Sequence, residues 1–386
     1  MLSGVNVALG VTGSIAAVRV VELVHELKRR GASVRGVMTE SARGIIPPWS
    51  VAFATGEPVV TELTGAVEHI ELCGEDGWAD VLLVAPATAN TIGKVAAAVD
   101  DTTVTTCATT ALGAGLPVVV APAMHQPMYE HPGVLDSIEC LESWGVEFVD
   151  PRIEEGKAKI AENDTIALEV ARIAGTSPLA GERVVVTSGA TSEAIDPVRI
   201  LTNRASGRTG RAVARGLYVR GADVTLVHDG PDVPYADVRR AESAAEMLDA
   251  VLAAVEEGTD ALVSAAAISD YTVESTGEKI RSRQDDLVLE LEPTPKLIDS
   301  VRDAHPDLPI VGFKAETSGD DEAMIEQARK IKERAGLAFV VANDASVMGE
   351  VETRVLFVRE EEVGEFSGSK DDLGVRVADE LTGELE

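Results

Sequence analysis

Aromatic side chains are scarce in this chain, at 3% of 386 residues. Phe, Tyr and Trp therefore cannot fill the core, and Val, Ile, Leu and Ala must, as they do in parallel α/β sheets. Cysteine is nearly lacking. Cys73, Cys107 and Cys140 form no CxxC pair, which argues against a disulfide framework and a zinc site and fits a reducing cytoplasm. Basic residues are few, 34 against 65 acidic ones, and most are Arg. The formal net charge of −31 repels nucleic acid and anionic membranes, so neither is expected as a partner. It also opposes the compact state by self-repulsion, a lever that halophiles use. The charge points to a high-salt cytoplasm, with an ordinary acidic enzyme as the alternative. No apolar run reaches spanning length. A strand pattern begins at Val5 with no basic region or cleavage site before it, so no signal peptide is expected.

What is present is length, 45% apolar content and a repeated alternation of strand and helix. The length predicts two domains. In the first half, strands are expected over 5–11, 33–38, 81–85 and 116–121, with helices over 15–30, 91–99 and 102–112. This βαβ alternation predicts a parallel sheet with helices on both faces. The stretch AGTSPLAG, residues 174–181, is small and turn-forming, and is the expected linker between domains 1–173 and 182–386. After it the pattern restarts, with strands over 183–187, 223–227 and 261–265 and later ones near 287–291, 310–313 and 339–342. Helices are expected over 210–221, 243–257, 322–335 and, in the acidic end, 371–381. The expected fold class is α/β, with two Rossmann-like, doubly wound parallel-sheet domains.

Each half opens with a strand followed by Thr and a turn of small residues, VTGSIAA at 11–17 and VTSGATS at 186–192. Ligands of open parallel sheets bind beyond the carboxyl ends of the strands, so two nucleotide-type sites are expected. In the first, Gly13 and Ser14 stand at a helix N-terminus, where free N–H groups can hold a phosphate. No Lys-Thr follows and GxGxxG spacing is absent, so a mononucleotide phosphate fits better than an NTPase loop or a dinucleotide. A tight turn without a ligand is the alternative. In APATAN, residues 85–90, Thr88 and Asn90 can cap the next helix or hydrogen-bond a ligand ring. Thr39 in MTESA repeats the arrangement after the second strand. His69, in HIEL, is on its own more readily structural than catalytic. VVVAPAMHQPMYEHP, residues 118–132, runs from a buried strand into a loop that sets His125 between Met124 and Met128.

VTGSIAA, MTESA, HIEL, APATAN and PAMHQPM, in this order, resemble the flavin-dependent cysteine decarboxylase family. The nearest likeness is the decarboxylase half of the bifunctional phosphopantothenoylcysteine decarboxylase/phosphopantothenate–cysteine ligase family, over about residues 4–172. The resemblance implies a flavodoxin-like domain holding FMN, with Gly13, Ser14, Thr39, Thr88, Asn90 and Thr106 as contacts and His69 as active-site base. In such enzymes the flavin oxidises the cysteinyl side chain, which lets CO₂ leave, and then returns the electrons. The PAM-x-x-x-M loop resembles the segment that grips the substrate carboxylate, through Met124, His125 and Met128. Many family members have Asn where His125 stands, and an imidazole can also donate to a carboxylate. A second departure is larger. The family's flap cysteine, a proton donor, is missing from EEGKAKIAEND, residues 154–164, where Lys157 or Lys159 can take the role.

TSGATSEAIDPVRILTNRASGRTG, residues 187–210, surrounds Arg199, Asn203 and Arg204 with small residues and can hold phosphate by backbone and Arg together. A reductase would also place a Gly-rich turn here, but neither GxGxxG nor Tyr-xxx-Lys follows. This run, with AAAISDY at 265–271, EKIRS at 278–282, GFKAET at 312–317 and VANDAS at 341–346, resembles the ligase half of the same family over about residues 182–358.

That resemblance implies joining of 4′-phosphopantothenate to cysteine with a nucleotide, usually CTP, through an acyl-nucleotide with release of pyrophosphate. Asn203 would stabilise the acyl intermediate, beside Ala266 and Ala267. Arg199 would bind substrate. Lys279 would serve the nucleotide and the cysteine step, Asp270 and Phe313 would line the nucleotide site, and Mg²⁺, held in part by Asp270, would screen the phosphates. The family spaces lysines KLxxK before its VAN strand. Here ARKIKERAG, residues 328–336, leaves Lys330, Lys332 and Arg334 without unique roles, and CTP and ATP both open.

Ligation by the second domain and decarboxylation by the first would give 4′-phosphopantetheine, in the cytoplasm. The family association implies a homo-oligomer of trimeric flavin domains and dimeric ligase domains. Two other readings stand beside it. One joins another flavin-dependent decarboxylase or prenyltransferase to an NAD(P)-type reductase. The other is a regulatory flavin-binding protein.

Overall fold

The computed structural model describes residues 1–281, 287–316, 321–344 and 352–385. Ser282 of EKIRS, Thr317 of GFKAET and Ala345 and Ser346 of VANDAS lie outside the described residues. Internal contacts divide the chain into two units, Met1–Thr176 and Ser177–Glu386.

In the first unit, strands β1 (Asn6–Val11), β2 (Ser33–Met38), β3 (Val81–Ala87) and β4 (Val118–Pro122) form a parallel sheet. β5 (Met124–His125) leaves it, and β6 (Glu147–Phe148) closes its edge, giving the order β2-β1-β3-β4-β6. All seven residues of β3 are buried, the continuous apolar run that a strand covered on both faces requires. The residues Leu82, Val84, Val104, Cys107, Val118 and Leu141 belong to one core cluster. The helix expected over 15–30 is a short 3₁₀ turn, Ile15–Arg19, followed by the α-helix Val20–Arg29. Two short strands, β7 (Arg152–Glu154) and β8 (Lys157–Lys159), form a hairpin that pairs with β5.

In the second unit, β9 (Arg183–Thr187) is central. β10 (Ser192–Asp196) and β11 (Arg199–Thr202) form a separate hairpin after it. The sheet continues with β12 (Asp223–Val227), β13 (Asp237–Arg239) and β14 (Ala261–Ser264). β15 (Tyr271–Val273) and β16 (Leu291–Pro293) make a second hairpin. The strand expected near 287–291 thus begins only at Leu291, because its pairing is set by β15. β17 (Ile310–Glu316) and β18 (Phe339–Asp344) extend the parallel sheet. β19 (Glu352–Val358) and β20 (Val363–Ser369) add antiparallel edge strands, giving the order β13-β12-β9-β14-β17-β18-β19-β20. The chain reverses direction across the sheet at β9/β14, the position where such folds open a ligand crevice. The terminal helix runs Lys370–Leu385, longer at both ends than expected.

Candidate functional site

The first site lies beyond the carboxyl ends of β1 to β4. The loop after β1 is pinned by its hydroxyls. Thr12 Oγ1 donates to the Pro86 carbonyl at 2.7 Å and accepts from the Thr88 amide at 3.2 Å. Ser14 Oγ donates to the Ala123 carbonyl at 3.0 Å. Gly13 brings this loop against the loop after β2, since a Cβ there would lie 2.5 Å from Ser41 Oγ. Thr39 and Thr88 cap the helices Glu40–Arg43 and Ala89–Ala96, accepting from the Ala42 and Thr91 amides at 3.2 Å each. Thr106 Oγ1 donates to the Asp100 and Thr102 carbonyls. The capping role of Thr39 and Thr88 is therefore realised, whatever else they bind. Asn90 is exposed in the first turn of its helix.

His69 lies on the helix Glu68–Cys73, and its Nδ1 is buried without a hydrogen-bond partner. A buried polar atom left unpaired calls for a ligand, water or chemical role. Met124 and His125 form β5, which pairs with the hairpin strand β8 so that His125 faces Lys157 and Met124 faces Ala158. Directly opposed residues of antiparallel strands share a face, so His125 and Lys157 leave the same face of this pairing. Lys159 is bonded to Glu154 at 3.0 Å and Glu155 at 2.9 Å. The hydrogen bonds to Glu155 and Glu154 hold its ammonium above the usual Lys value. Met128 is half exposed, on the short helix Gln126–Tyr129.

The cysteines are far less suited to proton transfer. Cys73 and Cys107 are buried, and the hydrogen bond the Cys73 thiol shares with Cys107, together with burial, pushes the Cys73 thiol well up. Cys140 is half-buried on the helix Pro132–Glu142.

The second site is a cavity of about 160 Å³ at the carboxyl ends of β9, β14, β17 and β18. Gly189, the loop from Arg204 to Gly210, Ala265 to Ala267, Phe313 and Asn343 line it, with Thr353 and Lys370 closing one side. Asn203 Nδ2 donates to the Ala267 carbonyl at 2.9 Å, which holds its amide beside the cavity. The Ala267 amide donates to the Gly189 carbonyl at 2.8 Å, and Ala266 N–H donates to Thr187 Oγ1 at 3.2 Å.

The structure brings Ala266, Ala267, Phe313 and Asn203 together. It places Arg199, Lys279 and Asp270 outside the cavity lining. The Arg199 guanidinium bonds the buried Asp196 carboxylate and donates to the Ile280 carbonyl at 3.1 Å. Asp196 also accepts from the amides of Val198, Arg199 and Ile280 at 2.8, 2.9 and 3.1 Å. Burial pushes the Asp196 carboxyl up, but the Val198, Ile280 and Arg199 amides and the guanidinium outweigh it and hold it below the ordinary Asp value. Lys279, exposed, is the neighbour of this clasp. Asp270 is paired with Lys296 at 2.5 Å. Among the described residues, no three His, Cys, Asp or Glu side chains gather to hold a metal. Of Lys330, Lys332 and Arg334, the first pairs with Glu326 and the last with Asp299. Arg208, Thr353 and Lys370 were missed in the sequence. Arg208 lies within the motif run, and only the fold brings the other two to it.

A parallel 2-1-3-4 sheet with a mononucleotide-type edge, and a second parallel sheet with a cationic cavity at its crossover, define a chain of two nucleotide-type α/β units. Residues 1–175 match the family model described as Flavoprotein, and residues 179–384 match the DNA/pantothenate metabolism flavoprotein C-terminal domain. The coenzyme A biosynthesis bifunctional protein CoaBC of Thermococcus kodakarensis is 49% identical, over 92% of this chain and 89% of that one. Its namesake from Methanocaldococcus jannaschii is 34% identical, over 99% and 94%. A crystal structure of a CoaBC C-terminal domain is 28% identical over 54% of this chain and 98% of its own, with a TM-score of 0.46. The chain belongs to the family of bifunctional coenzyme A biosynthesis proteins.

The family implies FMN, and the first site fits it on two observations. The unpaired, buried His69 Nδ1 waits for a partner, and the close approach at Gly13 leaves the loops after β1 and β2 without a side chain between them. The candidate contacts Ser14, Thr39, Thr88, Asn90 and Thr106 are all neutral hydroxyls or amides, compatible with a phosphate and a polar ring edge.

Proposed function

We propose that this chain performs two consecutive steps of coenzyme A synthesis. The second unit joins 4′-phosphopantothenate to cysteine with CTP. The first decarboxylates the product to 4′-phosphopantetheine with FMN. The observation that supports the pairing most is the combination in one chain of an orphaned, buried His69 Nδ1 in the first unit with, in the second, a cationic cavity lined by Ala267, whose carbonyl holds the Asn203 amide.

In the first unit, FMN would rest on Gly13, Ser14, Thr39, Thr88, Asn90 and Thr106, and would supply the two-electron sink that lets the carboxylate leave as CO₂. His69 takes the proton from the substrate thiol. Met124 and Met128 shape the loop, and His125 donates to the carboxylate. Lys157, opposite His125 and without an ion pair among the described residues, returns the proton. Lys159, held by two carboxylates, is the weaker donor of the pair.

In the second unit, the carboxylate of 4′-phosphopantothenate attacks the α-phosphorus and pyrophosphate leaves. The cysteine nitrogen then attacks the acyl carbon and the nucleoside monophosphate leaves. Asn203 and the Ala266–Ala267 edge hold the acyl group, and Phe313 packs on the nucleotide. Arg199 fixes the segment bearing Lys279, which bonds the nucleotide and assists the amine. Mg²⁺ carried by the nucleotide phosphates would screen their charge, and Asp270, now paired with Lys296, would be its ligand from this chain.

The functional form is a homo-oligomer, with trimeric flavin units and dimeric ligase units. Exposed apolar groups support this: Ile15, Trp49 and Phe53 are 78%, 71% and 81% exposed, and Val198 and Tyr271 are 65% and 52% exposed. The location is the cytoplasm. Free cysteines fit its redox state, and no helix among the described residues is long and apolar enough to cross a membrane.

One mass-spectrometric assay tests the reading. The protein, in molar KCl with FMN and Mg²⁺, receives 4′-phosphopantothenate, cysteine and CTP. Appearance of 4′-phosphopantetheine through transient phosphopantothenoylcysteine supports both halves. No product with either CTP or ATP would refute the assignment of the second unit.

A further inference from the structure

The cavity of the second unit is unusual for this chain in its charge. Acidic residues outnumber basic ones 65 to 34. Yet the described residues lining the cavity include Arg204, Arg208 and Lys370 and not one carboxylate. Three cations around a space of about 160 Å³ favour an anion with several oxygens, and a phosphoryl group is the natural occupant.

Two of the cations come from the loop after β11 and from the start of the helix Arg208–Val219. The third comes from the far end of the sequence. Lys370 begins the terminal helix Lys370–Leu385, directly after β20. Its neighbours Thr353 and Leu373 line the cavity with it. The helix is set firmly. Ser369 Oγ accepts from the Asp372 amide at 3.1 Å and caps it. Gly374 packs against the backbone of the helix Arg208–Val219. Asp371 pairs with Arg215, which tethers the first turn. The basic residues of the segment before β18, Lys330, Lys332 and Arg334, do not line the cavity. Lys330 and Arg334 are held by Glu326 and Asp299.

We infer that Lys370 is a phosphate-binding residue of this cavity, its ammonium donating to a phosphoryl oxygen of the nucleotide or of the 4′-phosphorylated substrate. The inference rests on reading the cavity as the ligase site. Lys370 touches substrate and takes no proton, so its loss weakens binding more than turnover at saturation.

The test uses the full-length protein and titration calorimetry in molar KCl. The probes are CTP with Mg²⁺, cytidine, 4′-phosphopantothenate and pantothenate. Lys370→Gln is expected to weaken a phosphorylated probe by roughly 10- to 100-fold, the range for a hydrogen bond to a charged group. Binding of its unphosphorylated counterpart stays within about twofold. Lys370→Arg is expected to restore most of the loss. A loss confined to CTP assigns the ammonium to the nucleotide, and a loss confined to 4′-phosphopantothenate assigns it to the substrate. Unchanged affinity for both phosphorylated probes overturns the role of Lys370 while leaving the site in place. Equal weakening of phosphorylated and unphosphorylated probes, unrescued by Arg, shows a structural role and also overturns it. If the unaltered protein binds neither CTP nor 4′-phosphopantothenate, the assignment of the cavity itself is wrong, and the role of Lys370 goes with it.

Discussion

Gly216 and Gly374 face each other where the helices Arg208–Val219 and Lys370–Leu385 cross. A Cβ on Gly216 would overlap the Gly374 carbonyl group, and one on Gly374 would overlap the Ala212 carbonyl. The obstacle in both cases is backbone, which cannot swing aside. Gly374→Ala is therefore expected to destabilise the second unit by about 2–3 kcal/mol, the upper part of the overpacking range. Both helices start at the cavity, so CTP affinity should fall as well. Calorimetric unfolding would show a lowered transition for this unit, and an unchanged one would mean the helices can separate freely.

Asp196 acts on Lys279 through the backbone. Its carboxylate and the Arg199 guanidinium hold the N–H and C=O of Ile280, the next residue. Asp196→Asn is expected to slow ligation roughly 10-fold or more by loosening Lys279, and decarboxylation of added phosphopantothenoylcysteine should be untouched. The pH dependence has a definite sign. The folded pKa lies below the ordinary value of 3.8. The stabilisation is therefore full above pH 3.8 and is lost as pH falls through the folded value. Acid unfolding of the Asn variant should lack this contribution. A ligation rate equal to that of the parent protein would remove Asp196 from any positioning role.

The two flap lysines should separate cleanly. Lys157→Met is expected to slow the final proton return roughly 10²- to 10⁴-fold, the usual share of a general acid. A decarboxylated, still oxidised product two mass units below 4′-phosphopantetheine should then accumulate. Lys159→Met should do little, because Glu154 and Glu155 hold that ammonium. Equal effects of the two substitutions would contradict the assignment to Lys157.

Much of this architecture was legible in the sequence, and the failures have physical causes. β3 and β4 announce themselves as apolar runs, and the helices of both units follow the 3.6-residue pattern. The helix Pro48–Thr55 escaped notice because Trp49 and Phe53 break that pattern by facing outward. The hairpin β7–β8 escaped because strands of three residues are defined by their pairing with β5, which no local pattern records. Asn203, Ala266 and Phe313 were found through motif order. Lys370 was not, since its neighbours in sequence give no sign that the sheet returns it to Arg208. The resemblance implies a substrate contact for Arg199, and a guanidinium beside small residues suits phosphate. The buried Asp196 three residues earlier is what claims it.

Trp49 and Phe53, one helical turn apart, present two large rings to solvent in a chain poor in aromatics. Rings of this size bury about 150–250 Å² each when covered. Phe53→Asp is expected to leave the fold of the first unit intact and to dissociate its assembly, read as a lower mass by light scattering. An unchanged mass would place the subunit interface elsewhere.

Salt should stabilise this protein. Two electrostatic effects compete. Ion pairs such as Arg354 with Asp321 and Glu365, or Arg359 with Glu380 and Glu384, hold the surface together and weaken as salt rises. Repulsion among the remaining carboxylates weakens too. The balance follows from the inventory. If every one of the 34 basic residues neutralised one carboxylate, the 65 acidic residues would still leave an excess of 31. Exposed pairs contribute about 0–1 kcal/mol each, whereas the uncompensated excess repels collectively. Raising KCl from about 0.1 M to about 2 M shortens the screening length from about 10 Å to below 3 Å, and so removes more repulsion than attraction. The unfolding temperature is therefore expected to rise steadily across this range, and FMN retention with it. A falling unfolding temperature would mean that the ion-pair networks dominate, and would overturn the assignment to a high-salt cytoplasm.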